Sequence, residues 1–243
     1  MVNQFWKAVS LGAGLLLLSA GLLNVGCSSS GKTRFRFMNA VPDQASLNVL
    51  VNPTANATPV FSNVGYGTAS SYTAGPSGSQ TIQIQQAGTS TVIPIVSPAN
   101  GSITLGSGND TTLIAANFTI NFTLFAFTDN NSTPTTNDFN LRIINVDTNP
   151  GTSGPGVVVY IGTPPLDISG TSPTVTVGFG GASNYLPMAG GSWELVVATA
   201  ANPTFPIVDT GPLTFNAGQV RTFVITNFQG GGGNTYSLLS DLN

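Results

Sequence analysis

Beyond residue 33, hydrophobic and polar residues alternate with a period of two. In "TIQIQQ" (Thr81 to Gln86), Ile82 and Ile84 share one face while Thr81, Gln83 and Gln85 share the other. "WELVVAT" groups Trp193, Leu195 and Val197 and turns Glu194 outward. "FTINFTLFAF" alternates from Phe118, with Phe125 and Phe127 making its end apolar on both faces. Side chains of a strand point alternately to its two faces, so this pattern predicts strands with one buried and one solvated face. The runs are short, and Gly, Pro, Asn and Ser interrupt them every 8–12 residues or so, the spacing of a β-sandwich or barrel. No helical stripe follows the first 27 residues, which makes the chain all-β.

The pattern also occurs twice. "VGYGTASSY" (Val64 to Tyr72) returns as "VGFGGASNY" (Val177 to Tyr185), with aromatic Phe179 opposite Tyr66. "FRFMNA" (Phe35 to Ala40) matches "LRIINV" (Leu141 to Val146), aligning Arg36 with Arg142 and Asn39 with Asn145. "SLNVLVN" matches "GVVVYIG", and "ITLGSGNDTTLIAAN" matches "LTFNAGQVRTFVITN". "FTLFAFTD" (Phe122 to Asp129) is set against "YSLLSDLN" (Tyr236 to Asn243). A repeated unit of roughly 100 residues has the length of a domain. The expected organisation is one unit over 34–129, a linker over 130–140 and a second unit over 141–243, the two superimposing strand for strand.

The first residues follow other rules. Lys7 supplies a positive start, and Ala8 to Leu23 is an uncharged, mostly apolar run. That run is short of the ~20 residues of a membrane span and suits a signal-peptide core over 1–26. It ends in "NVGC", where small Gly26 precedes Cys27, the only cysteine. This resembles the lipobox of bacterial lipoproteins, although Asn24 stands where Leu, Val or Ile is usual. The resemblance implies cleavage between Gly26 and Cys27 and acylation of Cys27. Two or three acyl chains suffice for stable membrane anchoring. Residues 27–33 then form a short tether, reaching about 20 Å at most. Ser28, rather than Asp, after the cysteine implies the outer membrane in a Gram-negative cell envelope.

The order of motifs is itself informative: an opening strand with "R-x-x-N", a second strand, then "GYG-x-x-S-x-Y" leading into an alternating strand. It is similar to the bacterial domain of unknown function family 4397, whose members are often lipoproteins and often occur in tandem. The resemblance spans nearly all of 33–243 in two copies. The second departs at "NVDTNPGTSGPG", and its "VGFGG" lacks the tyrosine. It implies two tandem immunoglobulin-like antiparallel β-sandwiches at the cell envelope, and no particular activity.

Composition removes several functions. Charged residues are 6% of the chain, against roughly 25% in an average globular protein. Six basic and nine acidic residues supply no basic patch for nucleic acid or anionic lipid. Histidine is absent, which eliminates Ser-His and Cys-His catalysis and the commonest metal ligand. "SSGK" (Ser29 to Lys32) has a Ser-x-x-Lys spacing but lies in the tether, and "QGGGGN" lacks the helix and lysine of a phosphate loop. Glycosidase chemistry needs two facing carboxylates, while the one glutamate is Glu194 and the aspartates sit mainly in turns. Turn oxygens suit calcium, yet no EF-hand spacing occurs. The expectation is no catalytic residue, no metal and no cofactor.

Tyr66, Tyr72, Phe179, Tyr185 and Trp193 are the candidate binding residues. As a flat platform they would stack on sugar rings. As packing residues, the paired tyrosines would lie on the sandwich rim with their hydroxyls bonded to backbone. The sequence therefore favours an exported, non-catalytic, structural or adhesive lipoprotein module. Its partners would be the membrane, through the lipid, and a polysaccharide or envelope protein. The alternative is a carbohydrate-binding module using the exposed aromatics.

Overall fold

The computed structural model describes residues 32–150 and 153–242. The expected signal peptide and lipidation site, Gly26 and Cys27, lie outside the described residues. The first half contains β1 (Arg34–Ala40), β2 (Ser46–Val51), β3 (Phe61–Gly65), β4 (Thr73–Ala74), β5 (Gly78–Gln86), β6 (Val92–Ile93), β7 (Ser102–Leu105), β8 (Asp110–Ala116) and β9 (Thr123–Asp129). The second contains β10 (Asp138–Asn145), β11 (Val157–Gly162), β12 (Val175–Val177), β13 (Gly181–Ala182), β14 (Leu186–Ala189), β15 (Gly191–Thr199), β16 (Asn202–Phe215), β17 (Val220–Asn227) and β18 (Asn234–Leu242). Two single-turn 3-10 segments are the only helical elements among the described residues.

Each half is a β-sandwich. In the first, the sheet β4-β1-β8-β9 faces β3-β2-β5-β6, with β7 also paired to β5. In the second, β13-β10-β17-β18 faces β12-β11-β15-β16, with β14 also paired to β10. The four-strand paths run in corresponding order in both, but the fifth strand joins the second sheet in the first half and the first sheet in the second half. Pairing is antiparallel except for β1 with β8 and β10 with β17, which run parallel. Parallel neighbours need a long crossover, here the whole second sheet of each sandwich.

Alternation explains the two cores. Phe35 and Phe37 of β1, Leu47 and Val49 of β2, Ile82 and Ile84 of β5, and Leu113 and Ala115 of β8 turn inward together. Leu141 and Ile143, Val157 and Val159, Leu195 and Val197, and Phe223 and Ile225 do so in the second sandwich.

The expected solvated outer faces are found only in part. Outward-facing Met38, Ala40 and Ile114 are buried against Ile144, Val146, Val224 and Leu239 of the other half. In the second sandwich, outward-facing Val158, Tyr160 and Val196 are covered by Leu166 and Ile168. Glu194 does oppose Trp193 across the strand, but it is buried, and it accepts a bond from the Leu166 amide at 3.0 Å. Two boundaries also move. β10 begins at Asp138, inside the expected linker, and residues 119–121 form a 3-10 turn before β9 starts at Thr123.

A cross-strapped seam as the candidate functional site

The outer faces of β1-β8-β9 and β10-β17-β18 meet in a seam with approximate two-fold symmetry. On β1, Phe35 and Phe37 point into the core, so Arg36 must point into the seam, where it is 3% exposed. Its Nε donates to Thr112 Oγ1 at 2.9 Å, its Nη1 to the Ser240 carbonyl at 2.8 Å, and its Nη2 to Asp241 Oδ1. Arg142 repeats this from the other side. Its Nε donates to Thr222 Oγ1 at 3.1 Å, its Nη1 to the Thr128 carbonyl at 3.1 Å, and its Nη2 to Asp129 Oδ1 at 2.5 Å. Each sandwich thus gives an arginine to the other's last strand and receives one in return.

Hydroxyls complete both carboxylates. Asp129 Oδ2 accepts from Tyr72 and Thr112, each at 2.7 Å. Asp241 Oδ2 accepts from Thr222 at 2.5 Å and Tyr185 at 3.0 Å. The Arg36 guanidinium lies 4.6 Å from the Tyr72 ring centre, and that of Arg142 lies 4.8 Å from Tyr185's. Burial opposes the charge on Arg36, but Asp241 and its neighbours outweigh it and hold the guanidinium above its ordinary value. Burial, followed by the nearby Asp129 charge, pushes the Tyr72 hydroxyl well up; burial does the same to Tyr185 despite Arg142. Both phenols therefore stay neutral donors to their carboxylates.

The repeated asparagines act within each sandwich rather than across the seam. Asn39 closes β1: its Oδ1 accepts from the Val41 amide at 3.0 Å and its Nδ2 donates to the Gln44 and Val64 carbonyls. Asn145 closes β10 in the same way, onto the Asp147 amide and the Val177 carbonyl. Short amide side chains that bond the backbone two residues on favour such turns.

Of the five aromatic candidates, four belong to the seam. The Tyr66 hydroxyl donates across it to the Asn227 carbonyl at 2.5 Å. Phe179 meets Phe125 of the first sandwich edge to face, centroids 5.5 Å apart. Tyr72 and Tyr185 bond carboxylates rather than the expected backbone. Trp193 stands apart, packed on the second core with its Nε1 bonded to the Ala189 carbonyl at 2.9 Å.

Two equivalent clefts flank the seam. One, about 400 Å³, is bordered by Arg36, Ser70, Ser71, Tyr72 and Ser240; the other, about 540 Å³, by Arg142, Ser183, Asn184, Tyr185 and Thr128. One serine of each cleft is already engaged: Ser70 Oγ accepts from the Phe37 amide and donates to the Ser71 carbonyl, and Ser183 does the same with Ile143 and Asn184. Asp129 and Asp241 both reach Arg142 Nη2, at 2.5 and 3.8 Å. That is a juxtaposition of carboxylates the sequence did not reveal. Neither side chain has exposed surface, so neither is presented to a substrate. Among the described residues no cluster of three metal-ligating side chains forms.

One buried acid departs from the symmetry. Asp147 occupies the position of core Val41 and has no cationic partner among the described residues. Burial raises its carboxyl above the usual range, against bonds from the Asn149 amide and Asn234. The folded state then holds its proton more tightly than the unfolded state, so stability falls as pH rises from about 3.9 through the raised value. Asp147→Asn is expected to remove this fall and to gain on the wild type at neutral pH. Urea midpoints measured across that range check it, and parallel curves for the two proteins would refute the assignment.

The fold and seam define an all-β module of two joined sandwiches. Residues 33–152 match the family described as "Domain of unknown function (DUF4397)". No curated protein matches the chain. Among solved structures, the chain is similar to the family 26 carbohydrate-binding module CBMbc of Eubacterium rectale Amy13K, solved with maltoheptaose. Identity is 8%, coverage 86% of this chain and 98% of that one, and the TM-score 0.28. A streptococcal ancillary pilin matches at 15% identity over 83% of this chain and 63% of its own, with a TM-score of 0.24. A streptococcal family 41 carbohydrate-binding module, described for α-glucan recognition, matches at 13% identity over 79% and 92%, with a TM-score of 0.25.

Proposed function

We propose that this chain is an exported lipoprotein, anchored in the outer membrane through acylated Cys27, that displays a non-catalytic structural or adhesive module. In this reading the second sandwich is a diverged copy of the domain matched over 33–152. The observation that carries the rigid, non-catalytic part of this reading is the seam, while the anchor rests on the lipobox-like sequence ending in Cys27. Both buried arginines and the two aspartates facing them are bonded to one another across the two sandwiches, which makes the pair stiff and leaves these charges no chemistry to perform. A rigid body on a tether of a few residues is suited to holding a surface at a fixed height above a membrane. The first test is the intact mass of the protein extracted from membranes. A start at Cys27 carrying two or three acyl chains is expected; an unacylated start near Gly26 would reject the anchor.

The alternative, glycan binding through Tyr66, Tyr72, Phe179, Tyr185 and Trp193, draws on the same aromatics. Retention of residues 33–243 on a polysaccharide resin, lost on Trp193→Ala in a protein that remains folded, would favour it. Absence of retention on any glycan favours the structural reading.

A further inference from the structure

We propose that the seam face of the first sandwich is self-complementary, and that a second copy of the same sandwich is a partner it fits. The inference rests on the seam geometry and is independent of the lipid anchor.

A two-fold contact needs each side to carry both complementary groups. The first sandwich does: Arg36 and Asp129 both belong to it. Its present partner offers Arg142 and Asp241 at the equivalent positions. Replacing that partner by a copy of the first sandwich sets Arg36 of each against Asp129 of the other. Thr112 and Tyr72 are then in place to complete each carboxylate, as they do now.

The apolar contacts transfer as well. Phe125 now packs on Phe179 and directly over Gly180, where a Cβ would overlap its ring. The first sandwich has Tyr66 and Gly67 at those positions, and Gly67 has nearly the same backbone, φ 70° against 71°. Phe125 of one copy therefore has a ring and a glycine to pack on in the other. The second sandwich is less suited to pairing with itself. It carries Ser237 where the first has Phe125, and Ser237 now only donates to the Gly67 carbonyl. Pairing two second sandwiches would leave Phe179 without its ring contact. The order of affinity is thus first with first above second with second.

The first sandwich can be tested alone, because all its ladders close within residues 34–129 and its core is built from that span. Residues 33–129 are expected to sediment as a dimer. Arg36→Asp should weaken the dimer by more than roughly tenfold, and adding Asp129→Arg to the same chain should restore it, since the swapped pair is again self-complementary. A folded wild-type monomer would overturn the proposal, as would a dimer unaffected by Arg36→Asp. If the isolated sandwich does not fold, two first sandwiches joined by the native linker replace it. One cooperative unfolding transition, weakened when both charges are swapped in one copy only, supports the proposal. Two independent transitions would overturn it.

Discussion

Arg142→Ala is expected to lower the unfolding free energy by about 3–5 kcal/mol, the cost of leaving a buried charge without its partner. Arg142 is 3% exposed and Asp129 has no exposed side-chain surface, so in the folded protein both charges have exchanged water for these bonds. The change also leaves the Thr128 carbonyl without its Nη1 donor and Thr222 without its Nε donor. Arg142→Lys should recover only part of the loss. A single ammonium cannot reach the Asp129 carboxylate, the Thr128 carbonyl and Thr222 as the planar fork does. Denaturant unfolding measures the effect, and a loss under about 1 kcal/mol would mean that the pair behaves as a solvent-exposed surface bridge. Arg36→Ala should cost a similar amount, since Arg36 makes the same set of contacts with Asp241.

The sequence made the sandwiches legible and left the seam hidden. Period-two alternation locates Ile82, Ile84, Leu195 and Val197 because burial of one face is a local property of a strand. The likeness of the two halves is legible for the same reason, since like strands carry like patterns. The seam depends on which outer faces meet, and alternation does not encode that. A signal was nonetheless present. Arg36 and Arg142 sit in register with outward apolar residues, Met38 and Ala40 in one half and Ile144 and Val146 in the other. Apolar side chains on both faces of a strand mark burial on both faces, and an arginine in that register needs a buried acid. The acids were harder to align. Setting "FTLFAFTD" against "YSLLSDLN" pairs Asp129 with Asn243, whereas the ladders place Phe127 opposite Thr112 and Leu239 opposite Thr222, making Asp241 the counterpart of Asp129. A bulge between Val220 and Arg221 shifts the register at that end. Asp129 reads as a turn residue for the same reason: its partner is contributed by the other half of the chain.

Gly180→Ala is expected to destabilise the protein by about 2–5 kcal/mol, through two separable causes. Gly180 has φ +71°, a left-handed conformation that an L side chain adopts at a cost of roughly 1–2 kcal/mol. The added Cβ would also overlap the Phe125 ring from the other sandwich. Overpacking of that kind costs about 1–3 kcal/mol more, because the seam cannot widen at one point without disturbing the charge pairs beside it. The companion change Phe125→Ser separates the two. It places at this position the residue that the second sandwich carries at Ser237, so the steric part should disappear from Gly180→Ala made in that background. The backbone part should remain. Full additivity of the two changes would mean that the ring and the glycine do not meet across the seam. The repeated "GYG" and "GFG" blocks then have a physical reason. The last glycine of each block is where one sandwich lets a side chain of the other come close, a ring at Gly180 and the Ser237 hydroxyl at Gly67.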